Sequence, residues 1–263
     1  MKHTSGRLVV SVALAACLVL PALSFAQANP ATAMDGRWHF LVAPYVWGSG
    51  MEGTVGVNGA LAVPVDLSFG DAIGALDFGF LGRFEGRKDR TGFALDVVYM
   101  NLGADVAGPV AGQLELGADV RSLTAEGVFA YRAFYDETKG SYVDLLGGAR
   151  YMRNRAGLTL GRDGGEIAGT EATLDWVDAL AGARFRLPLG TRVGLHGRAD
   201  IAGLGSDFTW NVLGGLDVAL GERWKAGAGY RYMDVDYDEG EGLERGIWQI
   251  AYKGPYVFVA YAW

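Results

Sequence analysis

Ionisable residues sit at every second position along strand-length segments whose other side is apolar. In Thr191–Ile201, Val193, Leu195, Gly197, Ala199 and Ile201 face one way, and Arg192, Gly194, His196, Arg198 and Asp200 face the other. A period of two is the repeat of a β-strand, so the segment reads as a strand with one apolar and one charged face. The split recurs. Asp178, Arg184 and Arg186 lie opposite Val177, Ala179, Ala181, Ala183, Phe185 and Leu187. Asp144 and Arg150 lie opposite Val143, Leu145 and Tyr151, and Asp217 lies opposite Leu216, Val218 and Leu220. Asp96 lies opposite Leu95 and Val97.

Such strands have two ways to fold. In a soluble sandwich the charges meet water and the apolar faces form the core. In a membrane barrel the apolar faces meet lipid and the charges fill the lumen. Three cues favour the barrel. The segments reach about ten residues or more, the length of a tilted spanning strand. Their connections alternate between short and long. Aromatic residues gather near strand ends, among them Trp38, Tyr99, Trp176, Trp210, Trp224 and Trp263. The expected fold is therefore an all-β transmembrane antiparallel barrel of about ten strands, within a range of eight to twelve.

The strands are expected over 37–47, 77–88, 91–104, 119–134, 141–156, 173–188, 191–203, 207–220, 223–237 and 245–263. An even number puts both ends of the barrel on the periplasmic side, with short turns there. Loops 48–76, 105–118, 157–172, 204–206 and 238–244 then face outward. Segment 48–76 allows more than one reading. Thr54–Val57 and Ala60–Leu67 flank Asn58-Gly59, a hairpin signal. The hairpin could be a folded outer loop, a plug or two added barrel strands, and Phe69–Leu76 could be a short helix. Pro255 lacks a donor for the ladder, so a bulge is expected at Gly254-Pro255, with a change of apolar parity across it.

The first residues read as an export signal. Lys2 and Arg7 precede an apolar stretch from Leu8 to Leu20, and Ala26 and Ala28 offer cleavage sites. The expected division is a signal over 1–28 and a barrel over 29–263. Leu14-Ala15-Ala16-Cys17 has the form of a lipobox, which leaves lipidation as the alternative. Cys17 is the only cysteine, so the mature chain is expected to lack disulfides and cysteine-based zinc sites. Removing Lys2 and Arg7 takes the net charge from −7 to −9, which argues against nucleic acid as a partner.

The chain ends in an alternating run in which Val257, Val259, Tyr261 and Trp263 share one face. This run resembles the C-terminal assembly signature of bacterial outer-membrane β-barrels, and Tyr261 and Trp263 carry it. A wider resemblance rests on Pro44-Tyr45-Val46-Trp47 with Gly50-Met51-Glu52-Gly53-Thr54, on Gly182-Ala183-Arg184-Phe185, and on Gly205-Ser206-Asp207-Phe208-Thr209-Trp210. Gly229-Tyr230-Arg231-Tyr232 with Asp236-Tyr237, and Gly254-Pro255, complete it. With these motifs the chain resembles a widespread, largely uncharacterised family of small, porin-like proteobacterial outer-membrane barrels. The resemblance implies the outer membrane, with its lipid, lipopolysaccharide and barrel-assembly machinery as partners. It implies no reaction or substrate.

The candidate site is the inward face. Asp96, Glu126, Asp144, Arg150, Asp178, Arg184, Arg198, Asp200, Asp217 and Arg231 are expected to form a lumen charge network, with Arg83, Glu85, Arg87, Arg132, Arg186, Arg192 and His196 also facing inward. Paired charges packing a narrow lumen are the first reading. A charged constriction in a narrow channel for small polar or ionic solutes is the second. A lipid-modifying hydrolase is the third, with His196 as its base beside Asp200 or Asp178. No serine lies within two residues of His196, and Ser122 and Ser206 cannot be placed from sequence. A nucleophile, a base and an oxyanion site are all needed, so no enzyme is expected. His39 is expected at the interface or in the lumen. Asp234-x-Asp236-x-Asp238 opens like a calcium loop, but Glu239 replaces its glycine and Arg245 its last ligand. A solvated acidic loop is the plain reading, with loose divalent-cation binding near lipopolysaccharide as the alternative. No metal site or cofactor is expected, and the barrel is expected to be a monomer.

Overall fold

The computed structural model describes residues 34–56, 63–68, 70, 76–106, 114–162 and 165–263. The export signal, the lipobox, the Asn58-Gly59 turn and nearly all of the helix considered over Phe69–Leu76 lie outside the described residues.

The chain runs β1 (Trp38–Trp47), β2 (Gly50–Gly56), β3 (Val63–Leu67), β4 (Leu76–Lys88), β5 (Thr91–Val106) and β6 (Leu114–Asp136). It continues with β7 (Ser141–Arg162), β8 (Gly165–Pro188), β9 (Val193–Gly203), β10 (Phe208–Ala219), β11 (Trp224–Glu239) and β12 (Gly246–Ala262). β1 and β4 to β12 form a closed antiparallel barrel of ten strands. Each pairs with its neighbour in this order, and β12 returns to β1. At the seam Leu41 opposes Ala262 and Trp47 opposes Tyr256. The main chains of Phe40 and Trp263 exchange hydrogen bonds of 2.9 and 3.0 Å just beyond it.

β2 and β3 do not enlarge the barrel. β2 continues the line of β1 along β12, so that Gly50 opposes Lys253 in the register already set by Trp47 and Tyr256. β3 pairs with the other edge of β2. The hairpin thus rises above the seam.

No bulge occurs at Gly254-Pro255. The register stays in step on the β11 side, where Tyr230 opposes Pro255 and Arg231 opposes Gly254. It stays in step on the β1 side too, where the Gly48 amide donates to the Pro255 carbonyl at 2.8 Å. The N and C=O of a strand residue point to the same neighbour, so the donor that proline lacks faces β1 only. A Cβ at Gly254 would strike the Gly48 carbonyl oxygen, so glycine lets the two strands close over the missing bond. The side-chain direction does not change either. Trp248, Ile250, Tyr252, Tyr256 and Ala260 are all buried, and Gln249, Lys253, Pro255 and Val257 are exposed. The inward set stays apolar throughout, Tyr256, Phe258 and Ala260 following Trp248, Ile250 and Tyr252; the parity shifts because the outward set changes from Gln249 and Lys253 to Val257 and Val259. The register shifts elsewhere, notably between Arg132 and Phe134 of β6, where Ala133 and Phe134 are both exposed.

The short turns fall where expected. At the other end the strands run further than the pattern showed. β5 and β6 stay paired out to Val106 and Leu116, and β7 and β8 out to Arg162 and Gly165. Much of 105–118 and 157–172 is therefore tall sheet and not loop. The β9–β10 hairpin stops low, at Gly203 and Phe208. Above it, Trp176 of β8 stacks on Tyr237 of β11 with ring centroids 4.3 Å apart.

The outside of the barrel is apolar. Val46, Phe80, Leu95, Phe129, Val177 and Ile201 are more than half or nearly half exposed. Near the short-turn end Trp263 packs with Phe40 and Tyr261, and Trp224 packs with Tyr261.

Gly254→Ala should lower stability by about 1–3 kcal/mol, as overpacking does. Gly147→Ala should be near neutral, because nothing lies within 4 Å of that added methyl. Denaturant midpoints of the refolded proteins test the contrast, and equal midpoints would refute the close-approach account.

Candidate functional site

Because inward positions alternate, each strand delivers its charges to the lumen at intervals of two. The pairing registers then bring them level. Arg83, Asp96, Glu126, Arg150 and Asp178 stand directly opposite one another across β4 to β8. Arg132, Asp144, Arg184 and Arg198 do so across β6 to β9. Side chains from these rungs then reach across the lumen.

One cluster centres on Asp144. Its carboxylate accepts from Arg132 Nε at 2.9 Å and Arg184 Nε at 3.0 Å, and it also pairs with Arg87. Arg184 continues to Glu85 at 2.7 Å, and Glu85 accepts from Arg83 Nε at 2.5 Å. The Arg132 guanidinium lies 4.0 Å from the Tyr142 ring centre, a cation–π contact that needs no further acid.

A second cluster centres on Glu126 and Asp200. Arg150 donates to Glu126 at 2.8 Å and to Asp200 at 2.5 Å. Arg198 donates to Glu126 at 2.7 Å, and its Nε lies 2.7 Å from Asp200. Asn211 bridges outward, donating to Asp200 at 2.8 Å and accepting from Arg231 at 2.7 Å. Arg231 lies over the Trp47 ring at 4.5 Å. Arg150 and Asp200 have wholly buried side chains. Ions removed from water this completely are tolerated only with several well-aligned partners each.

A third group joins Arg186 to Asp217 through bonds of 3.0 and 2.6 Å. His196 lies beside it, 2.5 Å from the Tyr256 hydroxyl and 3.5 Å from Asp217. Asp96 is held by the Tyr45 hydroxyl at 2.7 Å, with Arg83 at 3.5 Å.

Asp178 stands apart from these ion pairs. It accepts from the Gly205 and Ser206 amides at 3.1 and 2.7 Å, from the Ser206 hydroxyl at 2.9 Å and from Trp176 Nε1 at 3.2 Å. It fastens the β9–β10 hairpin to β8. Arg192, expected inward, is exposed in the turn before β9. His39 lies 2.9 Å from Asp35. That hydrogen bond, with one from the Arg37 amide, holds the Asp35 carboxyl down to about 2.

Nearer the long-loop end the lumen is apolar. Trp47, Met51, Met100, Met152, Met233, Trp248 and Tyr252 belong to one buried cluster. Sequence reasoning missed this cluster because it looked for apolar residues on the outside. The alternation of Trp248, Ile250 and Tyr252 with Gln249, Ala251 and Lys253 was its signal. Lys225, Tyr45, Tyr142 and Tyr256 were also missed, although Lys225 shares the parity of Arg231.

The hydrolase constellation does not come together. Ser206 bonds Asp178 and Thr209, and Ser122 bonds Asn154, so neither occupies the place beside His196 that Tyr256 and Asp217 take. The acidic segment is only partly a loop: Glu241 and Glu244 lie in the connection between β11 and β12, and the earlier acids do not. Asp234, Asp236 and Asp238 lie on β11, where they bond Tyr232, Gln249 and Arg245 respectively. Among the described residues no three His, Cys, Asp or Glu side chains converge as metal ligands.

Arg150→Ala would remove one of the two arginines that bridge Glu126 and Asp200, the wholly buried one, and should cost about 3–5 kcal/mol. Arg155→Ala breaks an exposed pair with Glu171 and should cost roughly 0–1 kcal/mol. Denaturant unfolding of the two variants checks the ranking; equal losses would contradict the lumen assignment.

No protein-family model and no curated protein sequence matches the chain. Among solved structures it is similar to the outer membrane protease OmpT from Escherichia coli, at a TM-score of 0.60 and 8% identity, covering 88% of this chain and 98% of that one. The translocator domain of the autotransporter NalP from Neisseria meningitidis follows at a TM-score of 0.43 and 15% identity, covering 88% and 91%. OprG from Pseudomonas aeruginosa gives 0.34 and 12%, covering 88% and 98%. At such identities the likeness concerns the fold, and the fold is that of outer-membrane β-barrels.

Proposed function

We propose that this protein is an integral outer-membrane barrel, exported by an N-terminal signal, whose lumen is occluded and whose role is structural or passive. The short turns then face the periplasm, and the tall β5–β6 and β7–β8 walls face outward among lipopolysaccharide. A monomer assembled by the barrel-assembly machinery through Tyr261 and Trp263 is part of this reading.

One observation carries it. The lumen is crossed at two heights by ion pairs between distant strands, and the buried cluster around Trp47, Trp248 and Tyr252 fills it above them. A conducting pore needs a continuous wet path, and buried carboxylates that are satisfied by guanidinium groups leave none at those heights.

OmpT is a protease, and catalysis is not carried over to this chain. Hydrolysis would need a nucleophile oriented by His196. The groups beside that histidine are a phenol and a carboxylate already engaged by Arg186.

Planar-bilayer recording tests the reading. The refolded protein should show no unitary conductance in potassium chloride. Stable, ion-selective openings would replace it with the narrow channel. Embedding is tested separately by Ala199→Arg, on the exposed face of β9. A lipid-facing arginine near the bilayer centre should cost about 2–4 kcal/mol, and a neutral result in lipid vesicles would argue against a membrane-spanning band at that position.

A further inference from the structure

Between the Glu126–Asp200 cluster and the short-turn end, the lumen is not filled. A cavity of about 200 Å³ remains there. Leu41, Ala43, Leu213, Phe258 and Ala260 form an apolar part of its lining. Arg186, Lys225, Arg231, His196 and Tyr256 form a polar part. Glycine helps to seat Arg186. Gly194 faces inward beneath Arg186, where an added Cβ would stand 2.5 Å from the guanidinium.

The charges around this space do not balance. Among the described residues, eight lumen arginines and Lys225 face six carboxylates, those of Glu85, Asp96, Glu126, Asp144, Asp200 and Asp217. The carboxylates are already shared. Asp144 serves three arginines, Glu126 serves three and Asp217 is gripped by Arg186. Lys225 is left over. It lines the cavity, where Asp217 and Glu85 attract it at longer range and Arg186 repels it, and none of the ion pairs between described residues includes its ammonium. Counting Asp178 would not help Lys225, because that carboxylate is spent on the β9–β10 hairpin. A half-buried ammonium with no partner at contact distance is unfavourable, and an anion in the adjoining space would compensate it.

We propose that this cavity binds a small organic carboxylate, its head on Lys225 beside Arg186 and its body against the apolar wall. The volume sets the size. It equals the liquid share of roughly six or seven waters and is below the about 300–1,000 Å³ of pockets that hold drug-sized ligands. The apolar wall sets the preference for an organic acid over an inorganic ion. This inference is independent of the occlusion nearer the long-loop end, since the cavity is lined by members of the charged clusters, Glu85, Arg184, Arg198 and Arg231 among them, and not by the buried Trp47–Trp248–Tyr252 group.

Benzoate is a suitable probe, with benzamide as its neutral counterpart. Binding to the refolded full-length barrel in uncharged micelles can be followed by calorimetry. Benzoate should bind saturably, and benzamide and inorganic phosphate should bind more weakly by on the order of tenfold, the loss expected when a charge-assisted contact or the apolar body is missing. Lys225→Met should weaken benzoate by a similar factor while the protein keeps its heat-modifiable band on a gel. Leu213→Trp fills the cavity from β10 and should abolish binding, which supplies a second variant if the first does not fold. Equal binding of benzoate and benzamide, unchanged affinity in Lys225→Met, or no saturable binding would each overturn the proposal. Added phosphatidylglycerol separates a lipid headgroup from a soluble acid. Unaltered benzoate binding supports the soluble acid, and displacement overturns that assignment. Bilayer conductance would overturn the occluded-lumen reading without touching this one.

Discussion

A sheet that meets lipid can leave no edge unpaired, because nothing in the hydrocarbon will hydrogen-bond a free amide or carbonyl. The closure of β12 onto β1 meets that demand, and the remaining architecture follows from it. Once the sheet is a ring of ten, its inner faces confront one another at close range. Side chains that would be solvated on an open sheet must find partners across the lumen. The guanidinium–carboxylate clusters around Asp144 and Glu126 are those partners. The seam also tolerates Pro255 at the cost of one donor, since the opposite edge of β12 stays fully in register.

The interior then divides by height. Toward the short turns it is ionic, with a cavity in it. Toward the long strands it is a packed apolar core like that of a soluble domain. Neutral polar groups, including Ser122, Thr124, Asn154 and Thr209, are buried where the two meet, level with Val98, Met100, Met152 and Val235 of the apolar core. The gradation keeps charged groups among partners and apolar groups among their own kind.

Much of the architecture was legible in the residues. The period of two located the barrel strands to within a few residues at their short-turn ends, and it placed Arg198 and Asp200 inward and Ala199 outward. The upper strands were less legible. There the apolar face turns inward and the polar face outward, as in Trp248 to Lys253, so the contrast that marks facing lower down is reversed. Which inward charges meet was not legible at all. Arg184 reaches Glu85, ninety-nine positions away, and such a meeting depends on barrel curvature and on shear between strands. Asp178 shows the same limit. Its partners are loop amides, a hydroxyl and the Trp176 indole N–H, groups that leave no charge pattern to read. The expected bulge at Pro255 assumed that a lost donor must break the ladder, whereas glycine beside it lets the strands stay in step.

The separations in sequence have a kinetic meaning. Hairpin contacts between adjacent strands form from neighbours in the chain. The pairs Arg198–Glu126, Arg87–Asp144 and Arg184–Glu85 join residues 72, 57 and 99 positions apart. Such contacts carry a large loop-closure entropy and can form only after the sheet has curled. They belong to the last stage of assembly. Interactions absent from the folding transition state slow unfolding without hastening folding. The lumen clusters therefore act as a latch: they contribute little to the search for the barrel and much to its persistence once closed.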